Sequence, residues 1–287
     1  MKKTQKSSKQ TVPVLMYHHV TPDGGSLSCS VRNFESQMKA LVERGFSTLS
    51  AEQFAGFLKG ETVPEKSVVL TFDDGYLNNF VYAYPILKKY KLHAFMFLIT
   101  SHIQEGTIRP IMGGDKELPD CPTHYECKHL VADGRADEVM LRWEEVREMQ
   151  HSGVFSFYSH THTHKRWDLS EDITNKNIAI RADLVQSQEQ LKLHLGVCSD
   201  HFCWPQGYFD ADYVKIAQEL GFKHLYTTEP YGHNVSQGDP AHIYRIAARN
   251  KRGWWLIQRL WWGKNSYAGQ WYNQQKLKKR EQKKQVR

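Results

Sequence analysis

Two adjacent carboxylates follow an apolar stretch of the chain. Asp73 and Asp74 come directly after Val68–Phe72 and are followed by Gly75. Like charges at such close range raise the pKa of one of the two groups. A divalent cation resolves this conflict, because one carboxylate coordinates the ion while the other stays free as a base. Asp-Asp-Gly is also ordinary turn chemistry, so the motif alone leaves a simple turn open.

Three histidines alternate within a stretch of five residues, His160, His162 and His164. On a turn, His160 and His164 share a face, and His162 is the expected bystander. Neutral imidazoles at this spacing are typical ligands of zinc and similar divalent ions. We therefore predict a metal site formed by His160, His164 and one of the two adjacent carboxylates. Two imidazoles and one carboxylate leave positions open for water, as a catalytic site requires.

Two further stretches offer groups that could act on a substrate. In Trp204-Pro-Gln-Gly207 the proline fixes the backbone and the glycine permits close approach, so a backbone N–H can point into a cleft as an oxyanion donor. Met16-Tyr-His-His19 supplies two histidines, either of which could protonate an amine leaving group. A strand-ending turn and a packed histidine are the respective structural alternatives.

The elements that would position these groups alternate between strand-like and helix-like patterns. Predicted strands cover 12–19, 46–49, 68–72, 94–100, 154–159, 201–204, 224–227 and 243–247. Predicted helices cover 31–42, 50–60 (with a capping box at Ser50), 80–90, 142–151, 172–195 and 211–220. Repeated strand–helix units with short connections predict a parallel sheet. With about seven units and no Gly-rich dinucleotide fingerprint, we expect an α/β fold with a closed or nearly closed barrel, whose strand ends hold the site.

Residues 101–140 interrupt the alternation and are rich in Gly, Pro and charged residues. We interpret them as a long insertion over one end of the domain, of the kind that is usually functional or disordered. Within it, two cysteines and two histidines occur over nine positions: Cys121, His124, Cys127 and His129. A second metal site is one interpretation, although the intervals do not match common zinc motifs. Free thiols and surface histidines are the default, and an odd total of five cysteines fits a reducing compartment.

The net charge of +7 originates in the termini, since residues 1–10 contribute +4 and residues 276–287 contribute +6, which leaves −3 for the rest of the chain. An acidic body argues against a nucleic-acid partner. The N-terminus is basic but lacks the apolar region of a signal peptide, and no apolar run is long enough to span a bilayer. We therefore expect a cytoplasmic protein.

Taken together, Thr71-Phe-Asp-Asp-Gly75, Ser159-His-Thr-His-Thr-His164 and Trp204-Pro-Gln-Gly207 resemble the motifs of the polysaccharide deacetylase family, carbohydrate esterase family 4. The resemblance covers roughly residues 12–250. It implies a distorted (β/α) barrel in a single domain and a hydrolase that removes N-acetyl groups from an amino-sugar glycan with a divalent metal, zinc first, with nickel, cobalt or iron as alternatives. Tyr17-His18 is similar to the branch of poly-β-1,6-N-acetylglucosamine deacetylases.

By this resemblance Asp74, His160 and His164 are the metal ligands and Asp73 is the general base. His18 is the general acid, and the Gln206 N–H is an oxyanion donor. Tyr17, Trp204, Pro205 and Gly207 are predicted to line the substrate site. One position departs from the wider family: an Arg that commonly steadies the base is replaced here by Cys203. Arg245 is a candidate for that task.

The segment 251–272 contains four tryptophans between residues 254 and 262, with basic neighbours, and a basic tail 273–287 follows it. An interfacial helix at an anionic membrane, a sugar-stacking platform and plain packing are the competing interpretations. The first would place the protein at the inner membrane face, in lipopolysaccharide or capsule synthesis.

The functional alternatives are an exported deacetylase of biofilm polymer or peptidoglycan, and a catalytically inactive sugar-binding barrel.

Overall fold

A computed structural model describes residues 10–169, 173–196, 199–230 and 232–264, together with residues 269, 271 and 274. Most of the predicted basic tails, 1–11 and 273–287, and the predicted helix start at Asp172 lie outside the described residues. The strands are β1 Val14–Tyr17, β2 His19–Thr21, β3 Ser28–Ser30, β4 Ser47–Thr48, β5 Ser67–Asp74, β6 Ala94–Leu98, β7 Phe155–Ser159, β8 His201–Cys203, β9 His224–Tyr226 and β10 Ile246–Ala247.

The helices follow the predicted order, with one addition inside the insertion. They are α1 Val31–Glu43, α2 Ala51–Lys59, α3 Tyr84–Tyr90, α4 His124–Ala132, α5 Trp143–His151, α6 Ile173–Leu195, α7 Ala211–Glu219 and α8 Gly253–Lys264. A π-helical turn, Asn79–Ala83, leads into α3. The predicted capping box at α2 is confirmed, since the Ser50 and Gln53 side chains each bond the other residue's backbone N–H.

A curled parallel sheet forms the centre of the molecule. Its strand order is β10-β1-β5-β6-β7-β8-β9, and β4 adds to the start of β5. Tyr226, the last residue of β9, forms a parallel bridge with Ile243, which precedes β10 in the chain. This bridge brings the two edges of the sheet close together. This arrangement confirms the predicted α/β class and the distorted barrel of about seven strands.

Side chains alternate between two cores along each strand. Val69 of β5 and Phe95 and Phe97 of β6 belong to a cluster inside the curl, whereas their neighbours in the chain pack outward against the helices. Asp73 continues the inward row that begins at Val69, because side chains two apart share a face of a strand. The alternation therefore places this carboxylate inside the barrel mouth, at the carboxyl end of β5.

The insertion 101–140 is ordered and packs against the mouth of the barrel. Tyr76, which follows β5, forms a bridge with Met140 and a small apolar cluster with Cys127, Ala136 and Val139. Arg109 binds the fully buried Glu145 of α5 through a bidentate ion pair. The insertion thus belongs to the folded domain and covers one end of it.

At the C-terminus, α8 packs on α1 and leaves one side in solvent. Gly253 meets α1 so closely that a Cβ atom would lie 2.3 Å from the Ser36 carbonyl oxygen, and Leu256 and Leu260 are fully buried. Trp254 and Trp261 are 67% and 53% exposed. None of the helices in the described part of the chain has the length and apolar character that a membrane span needs.

Candidate active site

The carboxyl ends of β1, β5 and β7 and the loop after β8 surround one cavity of about 420 Å³. Its wall contains both adjacent carboxylates and the histidines predicted to act with them, namely Asp73, Asp74, His18, His160 and His164, together with Gln206. Four separate stretches of sequence therefore meet at the edge of the sheet where a barrel enzyme has its active site.

Asp74, His160 and His164 form a group of potential metal ligands. Asp74 Oδ1 lies 3.4 Å from His160 Nε2 and 3.8 Å from His164 Nε2, and the two rings are tilted by 60°. Ligands at about 2.0–2.2 Å from a tetrahedral ion are about 3.3–3.6 Å apart, so small adjustments suffice. The donor set of one carboxylate and two imidazoles fits a catalytic divalent ion, and the predicted trio is brought together.

The ionisation states of Asp74 and His164 suit a cation. Burial by itself would raise the pKa of Asp74, but the hydrogen bond from His160 and the charge of His164 hold it well below its usual range. Burial, and then the charge of His160, lowers the pKa of His164 to about 4. An ionised carboxylate and a neutral imidazole are the forms that bind metal. Burial by itself would lower the pKa of His160, but the charge of Cys203 and the hydrogen bond with Asp74 raise it well above its ordinary value, so an ion must displace a proton from that ring.

A second layer of contacts holds the histidine ligands in place. His160 Nδ1 lies 2.8 Å from the Cys203 carbonyl oxygen, so it donates its proton there and presents Nε2 to the ion. The turn 161–164 is fixed by Asp183 of α6: its Oδ1 accepts from the backbone N–H groups of His162 and Thr163, and its Oδ2 from the Thr163 hydroxyl. Asp183 was not predicted, because a single acid in a long helix has no local signature.

Asp73 is held by Arg245 in the barrel interior. Arg245 Nη1 donates to Oδ1 at 2.7 Å and Nη2 to Oδ2 at 2.8 Å, and Nη2 also lies 2.9 Å from the Cys203 sulfur. Burial would raise the pKa of Asp73, but the charge and hydrogen bonds of Arg245 lower it below its ordinary value. Arg245, the candidate from the sequence, therefore holds the carboxylate of Asp73, and Cys203 lies beside it.

His18 lies close to the same carboxylate. Its Nε2 is 3.8 Å from Asp73 Oδ2, and its side chain is partly open to the cavity. His19 instead points away, is fully buried and stacks on Tyr76. The sequence left open whether His18 or His19 could act as a general acid. In the structure, His18 is the one of the two that lines the cavity.

The loop after β8 turns sharply at the cavity. Gln206 has a φ of +53°, and Gly207 a φ of +74° with no room for a side chain, because a Cβ atom would lie 2.0 Å from the Thr228 hydroxyl oxygen. Gln206 lines the cavity, and its side chain accepts a hydrogen bond from Arg166. Gln206 therefore lies at the cavity, and the role of its backbone N–H as an oxyanion donor stays a prediction.

Three of the predicted substrate-binding side chains lie elsewhere. Tyr17 is buried, donates its hydroxyl to Gln37, and packs in the outer core. Trp204 has no exposed surface and stacks on Phe209, and Pro205 is buried beside it. Strand alternation turns Tyr17 and Trp204 outward, away from the cavity. We correct these assignments: these side chains are buried at the strand ends and are not among the residues that line the cavity.

The Cys/His cluster of the insertion does not form a metal site. Among the described residues, the groups with suitably close donor atoms are three others, and Cys121, His124, Cys127 and His129 form none of them. Cys121 and Cys127 are free thiols, in line with the default interpretation, whereas Cys198 lies outside the described residues. His124 instead faces the cavity.

Comparison with known proteins gives a family match for this chain. A family model described as polysaccharide deacetylase matches residues 60–225. YxkH of Bacillus subtilis (strain 168), whose name assigns it provisionally to the polysaccharide deacetylases, is 29% identical over 248 residues, which cover 85% of this chain and 74% of that protein. A Staphylococcus aureus (strain MRSA252) protein named poly-β-1,6-N-acetyl-D-glucosamine N-deacetylase is 27% identical over 207 residues, covering 70% of this chain but 61% of the relative.

Solved structures show the same fold. The Streptococcus pyogenes deacetylase PplD in complex with acetate superimposes with a TM-score of 0.69 at 22% identity, over 88% of this chain and 99% of that one. IcaB from Ammonifex degensii gives a TM-score of 0.68 at 24% identity, over 88% and 97%. Since the family model matches more than half of the chain, the protein belongs to the polysaccharide deacetylase family, and the predicted class of hydrolase acting on carbon–nitrogen bonds is confirmed.

Proposed function

We propose that the protein hydrolyses N-acetyl groups of amino-sugar residues in a cell-envelope glycan, using a divalent ion held by Asp74, His160 and His164. The observation that supports this most directly is the convergence of that trio with Asp73 and His18 in one cavity. The staphylococcal relative named for poly-β-1,6-N-acetyl-D-glucosamine points to an N-acetylglucosamine polymer. This chain spans 61% of that relative's length, so the identity of the substrate is itself proposed here.

A divalent ion bound by this trio would supply Lewis acidity, polarising an amide carbonyl and making water more acidic. The remaining steps belong to side chains and backbone. Asp73 takes the proton from the attacking water, and the Arg245 fork keeps that carboxylate ionised and correctly turned. The Gln206 backbone N–H stabilises negative charge that develops on the carbonyl oxygen.

Proton delivery to the leaving group falls to His18. An amine leaves as a neutral molecule once its nitrogen is protonated, so an acid must stand near the scissile bond. His18 Nε2 lies 3.8 Å from Asp73 Oδ2, close enough for both groups to flank one amide. This arrangement separates the base and the acid while leaving each within reach of the bond that breaks.

The test is release of acetate from N-acetylglucosamine oligomers by the purified, metal-loaded protein. We expect activity that a chelator abolishes and that zinc restores, with nickel, cobalt and iron as comparison ions. Asp73→Asn should reduce the rate by roughly 10²–10⁴-fold while leaving metal content unchanged. A folded, metal-binding protein that released no acetate from polymeric, lipid-linked or nucleotide-linked substrates would support the inactive sugar-binding alternative.

We also propose peripheral contact with an anionic membrane through α8, at the cytoplasmic face. Support comes from Trp254 and Trp261, which are seven residues apart on one exposed side, and from the exposed Lys251 and Arg252 beside them. Vesicles containing phosphatidylglycerol should sediment the protein, and vesicles of phosphatidylcholine alone should not. Trp254→Ala with Trp261→Ala should abolish binding, whereas Leu193→Ala, an exposed apolar control on α6, should not. Failure of the wild type to sediment would favour the exported alternative.

A further inference from the structure

One face of the insertion helix α4 forms a wall of the active-site cavity. His124, Lys128, Val131 and Ala132 line the cavity, and their spacing of four, seven and eight residues places them on one side of the helix. His129, by contrast, lines a different surface pocket with Tyr125. The helix therefore contributes a defined strip of side chains to the site that holds Asp74.

A chain of hydrogen bonds fixes the tautomer of His124. The Val20 backbone N–H donates to Asn78 Oδ1 at 3.0 Å, so the other end of that amide, Nδ2, must be the donor towards His19 Nδ1, 2.8 Å away. Neutral His19 then has its proton on Nε2 and donates it to His124 Nδ1 at 3.0 Å. Burial lowers the pKa of both rings, which keeps them neutral. His124 is left with its proton on Nε2, as a donor.

Lys128 lies one turn further along the same face and is exposed at the cavity. Within the described part of the chain, no carboxylate pairs with it, and the carboxylates that line the cavity are Asp73 and Asp74. Arg245 and a divalent ion would outweigh those two negative charges. The wall formed by α4 therefore offers a cation and an N–H donor, both of which require an acceptor on the ligand.

We propose that α4 forms a subsite for an anionic group of the glycan, a carboxylate or a phosphate, adjacent to the N-acetylated sugar. Lys128 attracts and binds the anion, and His124 Nε2–H adds a directed hydrogen bond. The subsite rests on the proposed deacetylase function and specifies its substrate class: an acidic or phosphorylated amino-sugar glycan in preference to a neutral one.

Matched substrate pairs test this preference and distinguish the two sources of charge. In the carboxylate arm, glucuronyl-N-acetylglucosamine is compared with glucosyl-N-acetylglucosamine. In the phosphate arm, N-acetylglucosamine 1-phosphate is compared with the uncharged methyl glycoside of N-acetylglucosamine. For the wild type, we expect KM to be roughly tenfold lower for the charged member of one pair, with a similar kcat, since one charge-assisted hydrogen bond at a partly exposed site is worth about a factor of ten. The difference should shrink when salt is raised to about 0.5 M.

Variants of α4 connect the preference to its residues. Lys128→Met should raise KM for the charged substrate roughly tenfold and leave the neutral one within about twofold, and Lys128→Arg should restore most of the preference. His124→Phe keeps a ring against Tyr76 but loses the N–H donor. When it is combined with Lys128→Met, the preference for the charged substrate should be weaker than in Lys128→Met alone. His129→Gln, on the other side of the same helix, is the control and should behave as wild type.

Binding measured by calorimetry on Asp73→Asn makes the test independent of turnover. The subsite is supported if Asp73→Asn binds the charged substrate more tightly than the neutral one and if the double variant Asp73→Asn with Lys128→Met does not. This result counts even if no acetate is released. Equal KM and equal affinity for charged and neutral members of both pairs would overturn it. Acetate release from neutral substrates does not depend on the subsite. The deacetylase function and the anionic subsite can therefore be rejected independently of each other.

Discussion

Arg245 donates to both carboxylate oxygens of Asp73 from a position 172 residues further along the chain, with both side chains buried. A planar fork matches a carboxylate in a way that the single ammonium of lysine does not. The arginine comes from the segment before β10, while β8 contributes Cys203, whose sulfur lies 2.9 Å from Arg245 Nη2. The same contact therefore determines the charge and the direction of the proposed base.

Replacing Arg245 should move the acid side of the pH–rate profile. Asp73 acts as a base only when ionised, so activity is present above its pKa and is lost as the pH falls through it. Because Arg245 lowers that pKa, Arg245→Lys should raise it, and activity at pH 5 relative to pH 8 should fall more steeply than in the wild type. The measurement is kcat/KM between pH 4.5 and 9 at saturating zinc.

Arg249→Lys, on the exposed surface, is the matched control for this experiment. Lysine is the informative replacement at position 245, since removing one partner of a buried ion pair costs about 3–5 kcal/mol of stability. An unchanged profile in Arg245→Lys would mean that the arginine does not tune the base.

The metal trio could be predicted from sequence because each ligand lies in a short motif at the end of a strand. Arg245 and Asp183 could not, since their partners are distant in sequence and neither belongs to a local pattern. Trp204 was assigned wrongly for a different reason. It lies in the correct loop, but strand alternation directs Cys203 inward and Trp204 outward against α7.

The fold class was predictable from the alternation of strands and helices, whereas the function of the insertion was not. Composition marked residues 101–140 as irregular, and no local periodicity identified α4 within them. Its position depends on contacts such as His19 with His124, 105 residues apart. Long-range contacts of this kind determine which wall of the cavity a helix forms.

Asp183→Asn should weaken metal binding without changing the ligands themselves. The carboxylate accepts three hydrogen bonds from the turn that holds His164, and an amide in its place would turn a donor towards other donors. Loss of such supporting contacts typically costs roughly 10–100-fold in metal affinity. Competition with a zinc chelator measures the effect. Glu189→Gln, an exposed acid on the same helix, should retain full affinity, and equal affinities for both variants would contradict the prediction.

His19 should make the metal-free protein less stable at acidic pH. Burial first, and then the charges of neighbouring histidines, lowers its pKa in the folded protein to about 3, against about 6.5 when unfolded. Between these values the unfolded chain binds the extra proton, so stability is full above pH 6.5 and falls as the pH decreases towards 3. At pH 5 this amounts to about 2 kcal/mol from His19.

Urea denaturation at pH 7.5 and pH 5 measures this loss in wild type, His19→Gln and the exposed control His129→Gln. The pH-dependent decrease should be about 2 kcal/mol smaller in His19→Gln than in the other two proteins. An identical decrease in all three would show that the buried ring is not neutral in the folded state.

His162 and His164 offer a comparison within a single turn. His164 contributes Nε2 to the metal trio, whereas His162 Nδ1 lies 2.9 Å from the Thr100 hydroxyl and is not part of that group. His164→Ala should therefore lose the bound ion and nearly all acetate release, and His162→Ala should keep about one ion per chain, with a rate within roughly tenfold of wild type. Metal analysis of the dialysed proteins, read beside their kcat values, checks both expectations. Loss of the ion in His162→Ala, with His164→Ala retaining it, would require a different set of ligands.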